Sequence, residues 1–356
     1  MSVHPYKNLP DKAFWKRSVG SVAPGDIDPV GRFDLIIMPE TKVATAGSCF
    51  AQHIARHLKA SGFSYYVAEK AHPIIPADVA SSQNYGLFSA RYGNIYTARQ
   101  LLQLIQRSTG SFTPSDDVWT ANDGSFIDPF RPSTQPGGYI SKVEMLADRD
   151  QHLRIVREMF ENLDVFVFTL GLTEGWVSKA DGAAYPIAPG VEGGVFNPDL
   201  YAFKNYDVNE VLGDMNAFLD HLRLLNPAAE VILTVSPVPL AATAEPDQHV
   251  LSATTYSKSV LRVVAEMLAK QHRHVHYFPS FEIITGMASR GAYYAHDLRN
   301  VTEEGVSHVM RIFLSHATAT ETARPSQKDK VALPGDFVEL SSKIAEALCD
   351  EEKLDA

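Results

Sequence analysis

Four short apolar runs, each parted from the next by a helix-length amphipathic pattern, constrain this chain more than any other feature. Lys42–Ala46 gives way at Gly47-Ser48 to Phe50, Ala51, Ile54, Ala55 and Leu58, which recur at helical spacing up to Gly62. A helical pattern over Lys142–Glu161 leads into the run Asp164–Leu170, and another over Val208–Leu225 leads into Glu230–Val235. A third, Ser257–Gln271, leads into His274–Phe278, and Thr302, with Glu303 and Glu304 behind it, opens a last helix to Ser315. Strands that are nearly continuously apolar must be covered on both faces. The pattern therefore predicts an α/β domain built on a parallel sheet.

Around this core the chain divides into three parts. Residues 1–40 carry Pro5, Pro10, Pro24, Pro29 and Pro39 among aromatics, which predicts a wrap over the body rather than a long helix. Residues 41–320 form the domain, with loop or hairpin insertions near 114–136 and 176–201 that would build the rim of a site. Residues 321–356 read as a linker followed by a helical tail bearing Phe337, Leu340, Ile344 and Leu348 on one face.

Composition narrows the partners. The 356 residues include 42 acidic and 32 basic side chains, a formal charge of −10, and no long basic run, which disfavours nucleic acid. No apolar run approaches the ~20 residues needed to span a bilayer, so membrane insertion is not expected. The first residues lack an apolar signal core, and two cysteines, Cys49 and Cys349, make no disulfide framework. The expected setting is the cytoplasm of a bacterial cell. The sequence leaves the oligomeric state open.

The chemistry concentrates at Gly47-Ser48-Cys49-Phe50-Ala51, where a buried strand hands over to a helix. In an open α/β sheet ligands bind beyond the carboxyl ends of the strands, so this turn faces the site. A hydroxyl at a helix N-terminus sits among free N–H groups that can hold an oxyanion, or it simply caps the helix. The turn lacks the Gly-x-Ser-x-Gly elbow, and neither phosphate-loop nor dinucleotide fingerprints occur. Cys49 is a second nucleophile candidate. His272, His274 and His276 alternate at a strand start, a weak metal pattern beside the reading of a solvated loop; no metal or cofactor is expected. His53 and His57 fall off the apolar face of their helix and read as surface residues.

The residues Gly47–Ala51 resemble the motif of the GSCFA family. Tyr92-Gly-Asn-Ile-Tyr-Thr97, Thr169-Leu-Gly-Leu-Thr-Glu-Gly-Trp176, Thr234-Val-Ser-Pro-Val238, Ser257-Lys258 and Tyr277-Phe-Pro-Ser280 look like further family segments, in order, over about residues 5 to 316. That family is similar to the SGNH hydrolases, which implies a flavodoxin-like three-layer sandwich and esterase chemistry on O-acyl, including carbohydrate O-acetyl, groups.

By that resemblance Ser48 matches the nucleophile, and Gly171 matches the block that supplies Gly-x-Asn. Thr173 stands where the amide would be, so Asn94 becomes the alternative amide donor, or is equally a turn residue. Trp176 would stack on a sugar ring or close the core. The relatives' Asp-x-x-His becomes Asp297-Leu-Arg-Asn300, and asparagine cannot accept a proton at neutral pH. His296, next to Asp297, is the substitute base. The reading is thus a hydrolase of a small-molecule or glycan O-acyl ester. The alternatives are an O-acyltransferase to a sugar hydroxyl, or a binding protein that has lost its base at Asn300.

Overall fold

The computed structural model describes residues 4–48 and 50–318. Cys49 and the 321–356 tail, with its expected helix, lie outside the described residues. In chain order the elements are β1 (Val43–Gly47), α1 (Phe50–Ala60), α2 (Ala77–Ser82), α3 (Ala98–Thr109), β2 (Trp119–Thr120), β3 (Phe126–Ile127), α4 (Lys142–Asn162), β4 (Val165–Leu170), β5 (Glu174–Ser178), β6 (Ala184–Tyr185), β7 (Tyr201–Asn205), α5 (Val208–Leu225), β8 (Glu230–Val235), α6 (Val250–Gln271), β9 (Val275–Tyr277), α7 (Ser280–Thr285) and α8 (Glu303–Ala317). No described helix is long and apolar enough to cross a membrane.

The four expected runs form one parallel sheet in the order β1-β4-β8-β9, with Ala46 opposite Phe168, Phe168 opposite Leu233 and Leu233 opposite Tyr277. Outside β1 the chain returns for one bridge: Val43 N–H donates to Ser64 O at 3.2 Å and Tyr66 N–H to Val43 O at 2.8 Å. Counting that short edge, the order is the 2-1-3-4-5 of flavodoxin-like sheets.

Strand β4 shows why the runs are nearly continuously apolar. Phe166, Phe168 and Leu170 enter a core shared with α3, α4, α5 and α6, while Val165 and Val167 enter a second core with α1, α7 and α8. Alternate side chains of one strand thus serve opposite faces, and the domain has three layers.

The start of one helix differs from expectation. Helix α6 begins at Val250 rather than Ser257, because His249 Nδ1 accepts the Leu251 N–H at 3.1 Å and starts the helix across a polar stretch that hides its period. Of the two forms expected for residues 176–201, loop or hairpin, the chain takes the hairpin. Strand β5 pairs antiparallel with β6 and β7, and Trp119, Ile127, Tyr185 and Tyr201 make a third small core beneath the two insertions. Asp128 anchors the first insertion, bonding Arg131 Nε at 2.9 Å and Arg149 Nη2 at 3.1 Å.

Candidate active site

At the switch point of such a sheet, neighbouring strands send their connections to opposite faces and leave a crevice beyond their carboxyl ends. Here β1 runs into α1 on one face and β4 leads to helices on the other, so Ser48 and Gly171 share that crevice. Gly47 makes the approach possible. Its φ is +135°, and a Cβ on it would lie 2.4 Å from the Thr169 carbonyl oxygen.

Ser48 is buried, and its Oγ has no hydrogen-bond partner among the described residues. The bond into the first turn of α1 comes from its carbonyl, which accepts the Ala51 N–H at 2.9 Å. The hydroxyl is therefore not spent on capping. Its own N–H points to Thr169 O at 3.4 Å, a long bond.

Gly171 borders Ser48 directly: a Cβ there would sit 3.4 Å from the Ser48 Cβ and 3.0 Å from the Tyr96 carbonyl oxygen. That carbonyl accepts the N–H groups of Gly171 at 3.2 Å and Leu172 at 3.0 Å, so the Gly171 N–H is engaged away from Ser48. Thr173 holds the turn, with its N–H on Ser257 Oγ at 3.0 Å and its hydroxyl on Asn205 Oδ1 at 2.7 Å. Asn94 is buried on the loop that docks on β1 through Ile95 N–H to Gly47 O at 2.9 Å.

The C-terminal turn brings Asp297 and Asn300 together. Asp297 Oδ1 accepts the N–H groups of Arg299 and Asn300 at 3.0 Å each, and Oδ2 accepts Asn300 Nδ2 at 2.6 Å. Slight burial would raise that carboxyl, but these bonds outweigh it and hold Asp297 below the usual range. His296 is exposed on the same turn. No hydrogen bond joins either residue to Ser48 among the described residues.

Trp176 packs edge-on against Phe196 and Phe203, with centroids 5.1 and 5.8 Å away, and lines a pocket together with Tyr96, Leu172 and Glu174. Burial, then the nearby Glu245, pushes the Glu174 carboxyl up, against the hydrogen bonds from Thr243 and Ala244. His53 is half-buried rather than exposed. It packs on Phe50 and takes Arg56 Nη2 at 2.8 Å, and burial, then Arg56 and His57, lowers it to about 3. His272 and His276 turn to Asn216 and Glu230 at 2.7 and 2.9 Å, so the three alternating histidines share no common centre.

Lys258 escaped sequence reasoning as a site residue. It is buried on α6, and its Nζ donates to Gly171 O at 2.5 Å. The dipeptide Ser257-Lys258 was visible only as a family segment. Its partner, a turn 87 residues earlier in the chain, follows from no local spacing.

No curated protein matches the sequence. Among solved structures, an acetyl esterase mutant with an acetate ion is similar at 10% identity and a TM-score of 0.33, over 85% of this chain and 99% of its own. A carbohydrate esterase family 3 protein from Talaromyces cellulolyticus is similar at 12% and 0.30, over 85% and 99%. An acetyl xylan esterase from the rumen bacterium Butyrivibrio proteoclasticus is similar at 14% and 0.24, over 70% and 57%. The GSCFA family model matches residues 42–313, most of the chain, and the chain belongs to that family.

Proposed function

We propose that this chain is a serine hydrolase that cleaves an O-acyl ester, with Ser48 as nucleophile. One observation carries the reading: a buried hydroxyl at the switch point of a parallel sheet makes neither a cap nor any other hydrogen bond among the described residues. In this reading Ser48 Oγ attacks the ester carbonyl carbon, and the alcohol leaves as the tetrahedral adduct collapses to an acyl-enzyme. Water then releases the acid; a sugar hydroxyl in its place would make the protein an acyltransferase. The Ser48 N–H and the Asn94 amide, from the loop docked on β1, serve the oxyanion. Gly171 keeps space open beside the nucleophile, and Trp176 and Thr173 shape the adjoining wall. His296 takes the proton. Asp297 and Asn300 hold its turn.

One observation favours a different class. Asp297, which matches the Asp that orients the base in SGNH relatives, already accepts three hydrogen bonds from Arg299 and Asn300 in this chain. A protein that keeps the pocket and binds a small ester or glycan without turnover has that feature too.

Labelling with a fluorophosphonate, read by intact mass, separates the two. The hydrolase reading expects a single adduct in the wild type, none in Ser48→Ala, and slow labelling in His296→Ala. An unlabelled wild type between pH 6 and 9, the span in which a histidine base titrates, sinks it.

A further inference from the structure

The turn that brings Gly171 to Ser48 continues straight into a second space. Leu172, the next residue, and Tyr96, whose carbonyl holds the Gly171 N–H, both line a pocket of about 250 Å³ open to solvent. Its other walls are Trp176 and Phe203 from β5 and β7, Ile187 from the second insertion, and Leu240 from the segment after β8.

Most of this lining is apolar, with Tyr96, Glu174 and Thr243 the polar side chains in it. The one carboxyl in it, Glu174, gives its oxygens to the wall: Thr243 Oγ1 at 2.7 Å and Ala244 N–H at 3.3 Å. Burial and the neighbouring Glu245 favour its neutral form. A sugar ring placed here would lose water from several hydroxyls and find few partners, a cost that polar groups bear heavily in an apolar site. A hydrocarbon chain needs no partner and gains from every methylene it buries.

We propose that this pocket receives the acyl chain of the substrate, and that the preferred acyl group is a medium-length or aromatic one rather than acetyl. The inference rests on the ester-hydrolase reading for the identity of its guest. Leu172 and Tyr96 tie this pocket to the Gly171 turn beside Ser48, and Trp176 and Phe203 give it an aromatic wall. Ala188 and Ala242 line the same pocket from loops, so a larger side chain at either narrows it without disturbing the sheet.

The test compares p-nitrophenyl acetate, butanoate and hexanoate on the wild type, Ala188→Leu and Ala242→Leu. Each added methylene should raise kcat/KM by about fourfold until the chain meets the far wall. Both variants should lower the hexanoate-to-acetate ratio by about tenfold or more, the worth of two or more methylenes. In parallel, calorimetry on Ser48→Ala measures binding of acetamide and hexanamide, which needs no turnover.

Acetate as the best ester, with a ratio that neither variant moves, overturns the proposal and leaves ester cleavage standing. Tighter binding of hexanamide without any turnover by the wild type supports the pocket assignment and sinks the hydrolase reading. Neither turnover nor chain-length-dependent binding overturns both.

Discussion

The ammonium of Lys258 donates to the carbonyl of Gly171 at 2.5 Å, and the preceding residue, Ser257, accepts the N–H of Thr173 at 3.0 Å. Two consecutive side chains of α6 thus fasten both ends of the turn that follows β4. From the other side, Tyr96 fastens the same turn through the Gly171 and Leu172 N–H groups. The wall beside Ser48 is therefore fixed in place by groups none of which hydrogen-bonds to the serine hydroxyl.

Removing that ammonium should cost both stability and reactivity. Lys258→Met keeps the apolar stem and leaves the Gly171 carbonyl without its charged donor. Hydrogen bonds to charged groups are worth about 1.5–3 kcal/mol, so urea unfolding should show a loss near 2 kcal/mol. The turn would then drift against Ser48, and fluorophosphonate labelling should slow. Lys258→Arg should restore little, since a planar guanidinium cannot replace a compact ammonium in a closed space. A methionine variant with wild-type unfolding and labelling would show that the bond is incidental.

Two glycines should respond in opposite ways to alanine. At Gly47 the new Cβ meets the Thr169 carbonyl at 2.4 Å and φ is +135°. Backbone strain and overpacking each cost about 1–3 kcal/mol, so Gly47→Ala should lose at least about 3 kcal/mol or fail to fold. At Gly213, inside α5, nothing lies within 4 Å of the added Cβ and φ is ordinary. Gly213→Ala should gain about 0.5–1 kcal/mol in thermal or urea unfolding. Equal effects at the two sites would contradict the packing at the β1–β4 approach.

Acidification should unfold the protein partly through His53. Burial, then Arg56 and His57, holds this imidazole at about 3, against an ordinary 6.5. In the native state it stays neutral, while the unfolded chain takes up a proton below pH 6.5. Its contribution is complete above that value and is lost progressively as pH falls toward 3. The slope is at most about 1.4 kcal/mol per pH unit. Urea midpoints at pH 7.5, 6 and 5 should therefore fall more steeply for the wild type than for His53→Gln. Parallel lines would mean that His53 titrates normally.

The sheet was legible because its inner strands are buried on both sides. A run such as Val165–Leu170 is apolar but for Thr169, and the amphipathic helices between the runs favour a parallel arrangement. Strands β5, β6 and β7 escaped because β6 is two residues long and β7 pairs across a segment dense in glycine and proline. Of the site, Ser48 was legible from its place between strand and helix, and Gly171 from its motif. Tyr96 acts through its carbonyl, which carries no residue signature, and Lys258 acts across the layers of the fold. His53 misled because its ring reaches Phe50 and Arg56 on its own helix, which an apolar stripe does not register.

The most informative single change is at Asn300. Its Nδ2 already donates to Asp297 Oδ2 at 2.6 Å, the relation in which a histidine Nδ1–H would meet that carboxylate. Asn300→His rebuilds the Asp-x-x-His spacing of SGNH hydrolases on a turn that Tyr294, bridging to Val301, holds closed. A properly placed base contributes about 100- to 10,000-fold, and a loosely placed one much less. The variant should label with fluorophosphonate at least about tenfold faster than wild type near pH 8, a modest share of that range. The gain should vanish below a pH near 6.5, where the new imidazole protonates. The added dependence should also disappear in Asn300→His combined with Asp297→Ala. Faster labelling without that pH dependence would point to a loosened turn rather than a base. An unchanged rate would mean that position 300 does not face Ser48 and that His296 or another group serves the serine.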